Sequence, residues 1–86
     1  MTTAVLPYQS SQFEFLHFGQ GPQAVVCFHG YGEDAHSFAF LEKYLSAEYR
    51  FIAINLPHHG NSHWKDAHPL TTQDLLQVTE AIFRIK

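Results

Sequence analysis

Two glycines lie close together in a short segment that directly follows an apolar run. The segment is His29-Gly30-Tyr31-Gly32, and the apolar run before it is Ala24 to Phe28. A strand that breaks into a small glycine-bearing loop aims backbone N–H groups into open space, and such groups stabilise an oxyanion. The residue types therefore indicate an oxyanion-binding loop. The alternative is an ordinary strand-to-helix turn, in which the two glycines only supply unusual backbone angles.

A second apolar run, at 51–55, ends in a turn that contains Pro, His and Gly. The two segments together resemble the front of the α/β-hydrolases. In that family the residue directly after the His-Gly of the first loop donates its backbone N–H to the developing oxyanion. The resemblance assigns this donor role to Tyr31, with His29, Gly30 and Gly32 as the surrounding binding loop.

The turn after the second run supports the same resemblance. In the family it usually reads Asp-x-Pro-Gly-His-Gly-x-Ser. This chain departs from that pattern at Asn55 and His58, and it matches at Pro57, His59, Gly60 and Ser62. The resemblance makes His59 a structural turn histidine instead of a catalytic base, and Ser62 a turn residue that forms hydrogen bonds.

The family's mechanism uses a nucleophile, usually Ser, which is activated by a His that an acidic residue orients. The order of these residues in the family places all three after the point that corresponds to Lys86. We therefore expect residues 1–86 to be a single incomplete domain, the N-terminal part of a serine-type hydrolase, and to be inactive alone. The resemblance implies a small ester-like substrate for the complete protein, no cofactor and no metal.

The elements that must position the two motifs are predicted from hydrophobic periodicity. After a short N-terminal tail, Gln12 to Phe18 alternates as a strand does. The uninterrupted apolar run Ala24 to Phe28 is typical of a central strand that is covered on both faces. Asp34 is a predicted N-cap for a helix over 35–47. A strand over 51–55 then completes a β-α-β unit.

A second helix is predicted after a polar, turn-rich stretch. Thr71-Thr-Gln-Asp74 has the spacing of a capping box, and Leu75, Val78, Ile82 and Ile85 follow at helical intervals. The predicted fold class is α/β: a partial α/β-hydrolase sheet with an early antiparallel strand, a β-α-β unit and a following helix.

Composition excludes several classes of protein. The 86 residues carry a formal charge of −3 and are 45% hydrophobic, which indicates a packed domain and leaves no basic patch for nucleic acid or membrane. The single Cys27 lies in an apolar run and is expected to be buried and unreactive. The N-terminus lacks the features of a signal peptide. We expect a cytoplasmic protein.

Two other functions stay open at this level. In the family's sheet the third strand lies between the fourth and fifth, and the fifth is absent here, so Ala24 to Phe28 would expose an unpaired edge. Such an edge could bind a partner or a second copy, in a non-catalytic remnant. The seven histidines also include a cluster that could bind a metal, although it has no recognised ligand spacing. The cluster consists of His58, His59, His63 and His68.

Overall fold

A four-stranded mixed sheet forms the centre of the molecule, which we describe from a computed structural model over residues 2–29 and 34–85. The strands are β1 (Thr2–Tyr8), β2 (Ser11–Phe18), β3 (Gln23–Phe28) and β4 (Tyr49–Ile54). Their order in the sheet is β1-β2-β4-β3. β2 pairs antiparallel with both β1 and β4, whereas β3 pairs parallel with β4. The predicted α/β class, with an early antiparallel strand and a parallel pair, is confirmed.

Helical segments cover both faces of this sheet. A 3₁₀ turn (Ala35–Phe38) and a short helix α1 (Leu41–Leu45) pack on one face, and the longer helix α2 (Thr72–Ile85) packs on the other. Because β2 and β4 lie between two apolar layers, both of their alternating sets of side chains are buried. The core between the sheet and α2 consists of Phe13, Phe15, Ile52 and Ile54 from the sheet and Val78 and Ile82 from the helix.

Two predictions about strands were wrong. The expected N-terminal tail is the edge strand β1, whose exposure alternates along its length. Pro7 lies in this strand, where an edge position tolerates the missing N–H. The run that includes Ala24 to Phe28 is not central: within the described residues β3 is the outer strand, and Phe28 is 44% exposed. The inner strands among those described are β2 and β4, and the outer position of β3 agrees with the expectation that Ala24 to Phe28 has an unpaired edge.

The predicted helix over 35–47 is two shorter segments. Ala35, Phe38 and Leu41 are spaced by three residues and pack against the same face of the sheet. A repeat of three matches the 3₁₀ geometry better than the α-helix, which needs 3.6 residues per turn. Asp34 caps the 3₁₀ turn as predicted, because its side chain accepts the His36 N–H at 2.9 Å.

Helix α2 begins at the predicted capping box. The Thr71 N–H donates to Asp74 Oδ2 at 2.9 Å, and the Asp74 N–H donates to Thr71 Oγ1 at 3.1 Å. Each side chain therefore satisfies a backbone donor of the other residue. No helix within 2–29 and 34–85 has the length and apolar character needed to cross a membrane.

Candidate functional site

The two motifs of the sequence meet at the carboxyl ends of β3 and β4. Phe28 and Ile54, the last residues of these strands, are register partners in the parallel pair. His29 and Asn55 follow them directly, so the first residues of the two motifs lie side by side at this edge of the sheet. In open α/β sheets this is the edge at which ligands bind.

His29 is buried and contacts this turn directly. It is 6% exposed, and its Nε2 accepts the Leu56 N–H at 2.8 Å. Because a backbone N–H can only donate, Nε2 is unprotonated, and the proton of the neutral ring lies on Nδ1. The His29 ring also lies 4.5 Å from the His59 ring, measured between centroids. The turn after β4 thus sets the orientation and tautomer of the residue that precedes the glycine-bearing loop.

His59 itself is held within the turn. Its Nδ1 lies 3.1 Å from the Pro57 carbonyl oxygen, which can only accept, so Nδ1 is the donor. This contact is the one expected of a turn histidine. Ser62 is 3% exposed, donates to the Asn55 carbonyl oxygen at 2.7 Å and accepts the Glu14 N–H at 2.7 Å. The prediction that Ser62 is a turn residue that forms hydrogen bonds is confirmed.

Asn55 joins the loop, the turn and the sheet. It is 1% exposed. Its Oδ1 accepts the Ala35 N–H at 2.7 Å, and its Nδ2 donates to Glu14 Oε1 at 2.8 Å. Its backbone N–H also donates to the Glu14 carbonyl oxygen at 2.9 Å. Asn55 therefore uses both ends of its side-chain amide in the interior of the protein.

Glu14 is a residue that the sequence analysis missed. Its carboxylate is buried at 6% exposure and accepts three hydrogen bonds, two of them from the N–H and Nδ2 of Asn61 at 3.1 and 2.8 Å. The available signal was its position in β2, where it shares one alternating set with the apolar Leu16 and Phe18. A carboxylate in such a set must find buried donors.

The backbone of the turn is shaped around this cluster. Gly60 has φ of 53°, and a Cβ on it would lie 2.5 Å from both Asn55 Nδ2 and Glu14 Oε1. A side chain at this position would therefore displace the hydrogen bond between Asn55 and Glu14. His58 has φ of 69°, in the left-handed region that favours glycine, at the position where the family's pattern has Gly.

Three of the predicted site residues, Gly30, Tyr31 and Gly32, lie outside the described residues, and His29 is the one that lies within them. The clustered histidines are separated: His68 lies 3.3 Å from Asp74 Oδ2, measured from its Nε2, whereas His59 contacts His29. Over 2–29 and 34–85, no group of three or more His, Cys, Asp or Glu side chains could hold a metal ion. Burial raises the pKa of the Cys27 thiol, in agreement with an unreactive residue.

Comparison with known proteins extends this description. No family model matches the chain. It is 36% identical over 67 residues to a dihydrolipoyllysine-residue acetyltransferase component of an acetoin cleaving system from Pseudomonas putida, a match that covers 78% of this chain and 17% of that protein. It is also 36% identical over 63 residues to a serine hydrolase-like protein from Danio rerio, covering 67% of this chain and 19% of that protein.

Solved structures show the fold. A thioesterase domain from the curacin biosynthetic pathway superposes with a TM-score of 0.74 at 23% identity, covering 98% of this chain and 32% of that domain. It and other matched structures are α/β-hydrolase-fold proteins. The chain therefore has the fold of the N-terminal part of an α/β-hydrolase. It spans about a fifth of the curated relatives' length and about a third of the thioesterase domain.

Proposed function

We propose that this chain supplies the oxyanion-binding side of the active site of a serine-type α/β-hydrolase, which acts on an ester, thioester or similar bond. The observation that carries this proposal is the burial of His29 at the carboxyl end of β3, with its ring held by the Leu56 N–H at 2.8 Å. That contact ties the start of the glycine-bearing segment to a rigid turn. A donor that is fixed in this way stabilises charge without reorganising during the reaction.

Within this proposal the backbone N–H of Tyr31 is the donor to the oxyanion, and His29, Gly30 and Gly32 form the loop that presents it. A single donor of this kind contributes about 3 kcal/mol to transition-state stabilisation in a site that excludes water. We assign no nucleophile, acid or catalytic base to residues 1–86. These residues form one incomplete domain that does not turn over substrate alone, and the complete protein acts in the cytoplasm on a small ester-like substrate.

The first test is labelling with a fluorophosphonate probe, which reacts covalently with activated serines. The probe is applied to the native gene product in cells that make it, and to the 86-residue chain produced separately. We expect labelling of a native product heavier than 9.9 kDa and none of the 86-residue chain. A native product of that mass, or one that the probe does not label, would contradict the proposal.

The second test removes the Tyr31 N–H. In the full-length enzyme, Tyr31→Pro should lower kcat by about 100- to 1,000-fold, because proline has no backbone N–H. The matched control Tyr31→Ala keeps the N–H and should stay within about tenfold of the wild type. If Tyr31→Ala loses as much activity as Tyr31→Pro at equal thermal stability, the side chain and not the backbone is responsible.

A specific feature favours a second function, self-association through β3. Among the described strands only β4 pairs with β3, so the backbone groups of its outer edge are available to another strand. Beside this edge lies an apolar groove of about 250 Å³ between β3 and α2, lined by Val26, Phe28, Thr72, Leu75, Leu76 and Thr79. We propose that a second copy of the chain pairs with this edge when no other strand covers it.

Sedimentation velocity of the 86-residue chain tests the self-association. Wild type should form dimers or larger species, and Phe28→Lys should shift the chain toward monomer by placing a charge at the edge. Val5→Lys is the matched control, because Val5 is also 44% exposed but lies on β1, at the opposite edge of the sheet. A monodisperse wild-type monomer, or equal effects of the two variants, would overturn this proposal.

A further inference from the structure

The segment that contains the predicted oxyanion loop is held on both sides by one point of the chain. On its N-terminal side, His29 accepts the Leu56 N–H at 2.8 Å. On its C-terminal side, the Ala35 N–H donates to Asn55 Oδ1 at 2.7 Å. Asn55 and Leu56 are adjacent, so both attachments of the segment depend on one pair of residues in the turn after β4.

The position of Asn55 in this pair depends on Glu14. The Asn55 side chain and the Asn55 backbone N–H donate to the side chain and the carbonyl oxygen of Glu14, at 2.8 and 2.9 Å. Glu14 lies in the middle of β2, a strand that is paired on both sides. The attachment therefore runs from a strand that is paired on both sides, through Asn55, to Ala35 on the C-terminal side of the loop.

An amide at position 55 suits the ionised carboxylate of Glu14. Asn55 accepts a hydrogen bond from Ala35 and donates one to Glu14, whereas an aspartate can only accept. The Asp that is usual in the family's turn would place a second carboxylate 2.8 Å from Glu14 Oε1, the distance now spanned by the amide nitrogen. Like charges this close cannot both be ionised without a large cost. Asn55 and Glu14 are thus chemically matched to one another.

We propose that Asn55, oriented by Glu14, is a positioning residue that fixes the C-terminal side of the oxyanion loop. Its effect on catalysis rests on the function proposed above, whereas its effect on the backbone at Ala35 does not. Gly60 belongs to the same device, since a Cβ there would lie 2.5 Å from both Asn55 Nδ2 and Glu14 Oε1. Because Gly60 has no side chain, the hydrogen bond between Asn55 and Glu14 can form. We refer to the hydrogen bonds that link Glu14 through Asn55 to Ala35 as the relay.

The test uses two single variants and their combination, Asn55→Asp, Glu14→Gln and the double variant, in the full-length protein. In the double variant the hydrogen bond between positions 14 and 55 is reversed: the Gln amide donates, and the Asp carboxylate accepts while its other oxygen still accepts the Ala35 N–H. The rescue is partial, because the Asn61 N–H also donates to Glu14 Oε1 and loses that acceptor. Hydrogen exchange of the Ala35 amide reports the relay. Exchange of β1 and β2 amides in the same sample reports global stability.

We expect Asn55→Asp to lower the protection of the Ala35 amide by about tenfold relative to the β1 and β2 amides. The double variant should recover at least half of this loss on a logarithmic scale. A double variant no better than Asn55→Asp, or a loss that only follows the β1 and β2 amides, would overturn the relay.

The rate of fluorophosphonate labelling separates this inference from the proposed function. Asn55→Asp should slow labelling by about tenfold or more, and the double variant should partly restore it. If no variant and no wild type is labelled, the hydrolase proposal fails, while the exchange data still decide the relay. If the relay appears in exchange but Asn55→Asp labels at the wild-type rate, the relay exists and its role in positioning the site is overturned.

Discussion

Two buried carboxylates, Glu14 and Asp74, differ in the groups that surround them. Both residues are 6% exposed. Within residues 2–29 and 34–85, the Glu14 carboxylate accepts from amide donors of Asn55 and Asn61 in the turn after β4, and through Asn55 it is linked to the segment after β3. Asp74 accepts from Thr71, from the Tyr8 hydroxyl at 2.7 Å and from His68, at the start of α2.

The difference teaches that burial of a carboxylate does not by itself mark a functional site. The Asp74 cluster ties β1 and a helix end together, and it lies away from the carboxyl ends of β3 and β4. The Glu14 cluster lies behind those ends and controls backbone that leads into the proposed loop. What a buried carboxylate holds in place decides its role.

Among the predicted changes in folding stability, the largest should come from removing the carboxylate of Glu14. Glu14→Ala leaves the Asn55 side chain and two donors of Asn61 without their acceptor, so we expect the free energy of unfolding to fall by about 3 kcal/mol. Urea denaturation followed by circular dichroism measures it. Glu80→Ala is the control, because Glu80 is exposed on α2 and should change stability by less than about 0.5 kcal/mol. Equal losses of unfolding free energy in the two variants would contradict a stabilising role for the Glu14 hydrogen bonds.

A smaller effect is expected on the Asp74 side. Thr71→Ala removes the hydroxyl that accepts the Asp74 N–H at 3.1 Å, and loss of such a cap lowers the free energy of unfolding by about 1 kcal/mol. The neighbouring exposed residue provides the control, since Thr72→Ala leaves the capping box intact. If both substitutions cost the same in urea denaturation, the capping box does not stabilise α2.

The turn of the Glu14 cluster also offers a stabilising change. His58 has φ of 69°, a conformation that glycine adopts without strain. His58→Gly should raise the free energy of unfolding by about 0.5 kcal/mol, because relief of strain exceeds the added entropy of the unfolded chain. His63→Gly, at a residue that pairs with Gln12 in an extended bridge, should instead lower it. A loss of stability in His58→Gly would show that the imidazole has contacts worth more than the strain.

The charge of Asp74 should stabilise the fold at neutral pH, and this stabilisation should disappear in acid. The hydrogen bond from Tyr8 lowers the pKa of Asp74 to about 2, with further hydrogen bonds from Thr71 acting in the same direction against the effect of burial. Because the folded pKa lies below the unfolded value of about 4, the ionised carboxylate stabilises the fold above pH 4. This contribution is lost as the pH falls from about 4 to about 2.

Thermal unfolding at a series of pH values measures this dependence. Wild type should lose stability between pH 4 and pH 2 more steeply than Asp74→Asn, which has no charge to lose at that position. Glu80→Gln should keep the wild-type slope. Parallel curves for wild type and Asp74→Asn would contradict the lowered pKa of Asp74.

Much of the fold follows from patterns that are local in the chain. The capping box links Thr71 to Asp74, and the cap of the 3₁₀ turn links Asp34 to His36. Both therefore depend on groups two or three residues apart. The alternation in β2 and the apolar run in β4 likewise depend on neighbours. Their geometry is set by backbone conformation alone, which is why sequence reasoning found them.

Other features could not be found in this way, because their partners are distant in the chain. Glu14 meets Asn55 across 41 positions, and Tyr8 meets Asp74 across 66. The pairing of Thr2–Tyr8 with β2, and not its residue types alone, defines this segment as a strand. The break of the predicted helix into a 3₁₀ turn and α1 likewise depends on packing against the sheet.

By itself, the sequence determined the α/β class, the helix caps and the two motifs that resemble an α/β-hydrolase, because each depends on residue types at short spacing. Only the tertiary structure decided that Thr2–Tyr8 pairs with β2, that Glu14 is buried beside Asn55, and that Asn55 and Leu56 together hold both sides of the segment after β3. The physical reason is that hydrogen bonds between buried polar groups require the folded sheet to bring donor and acceptor together and to exclude water from them.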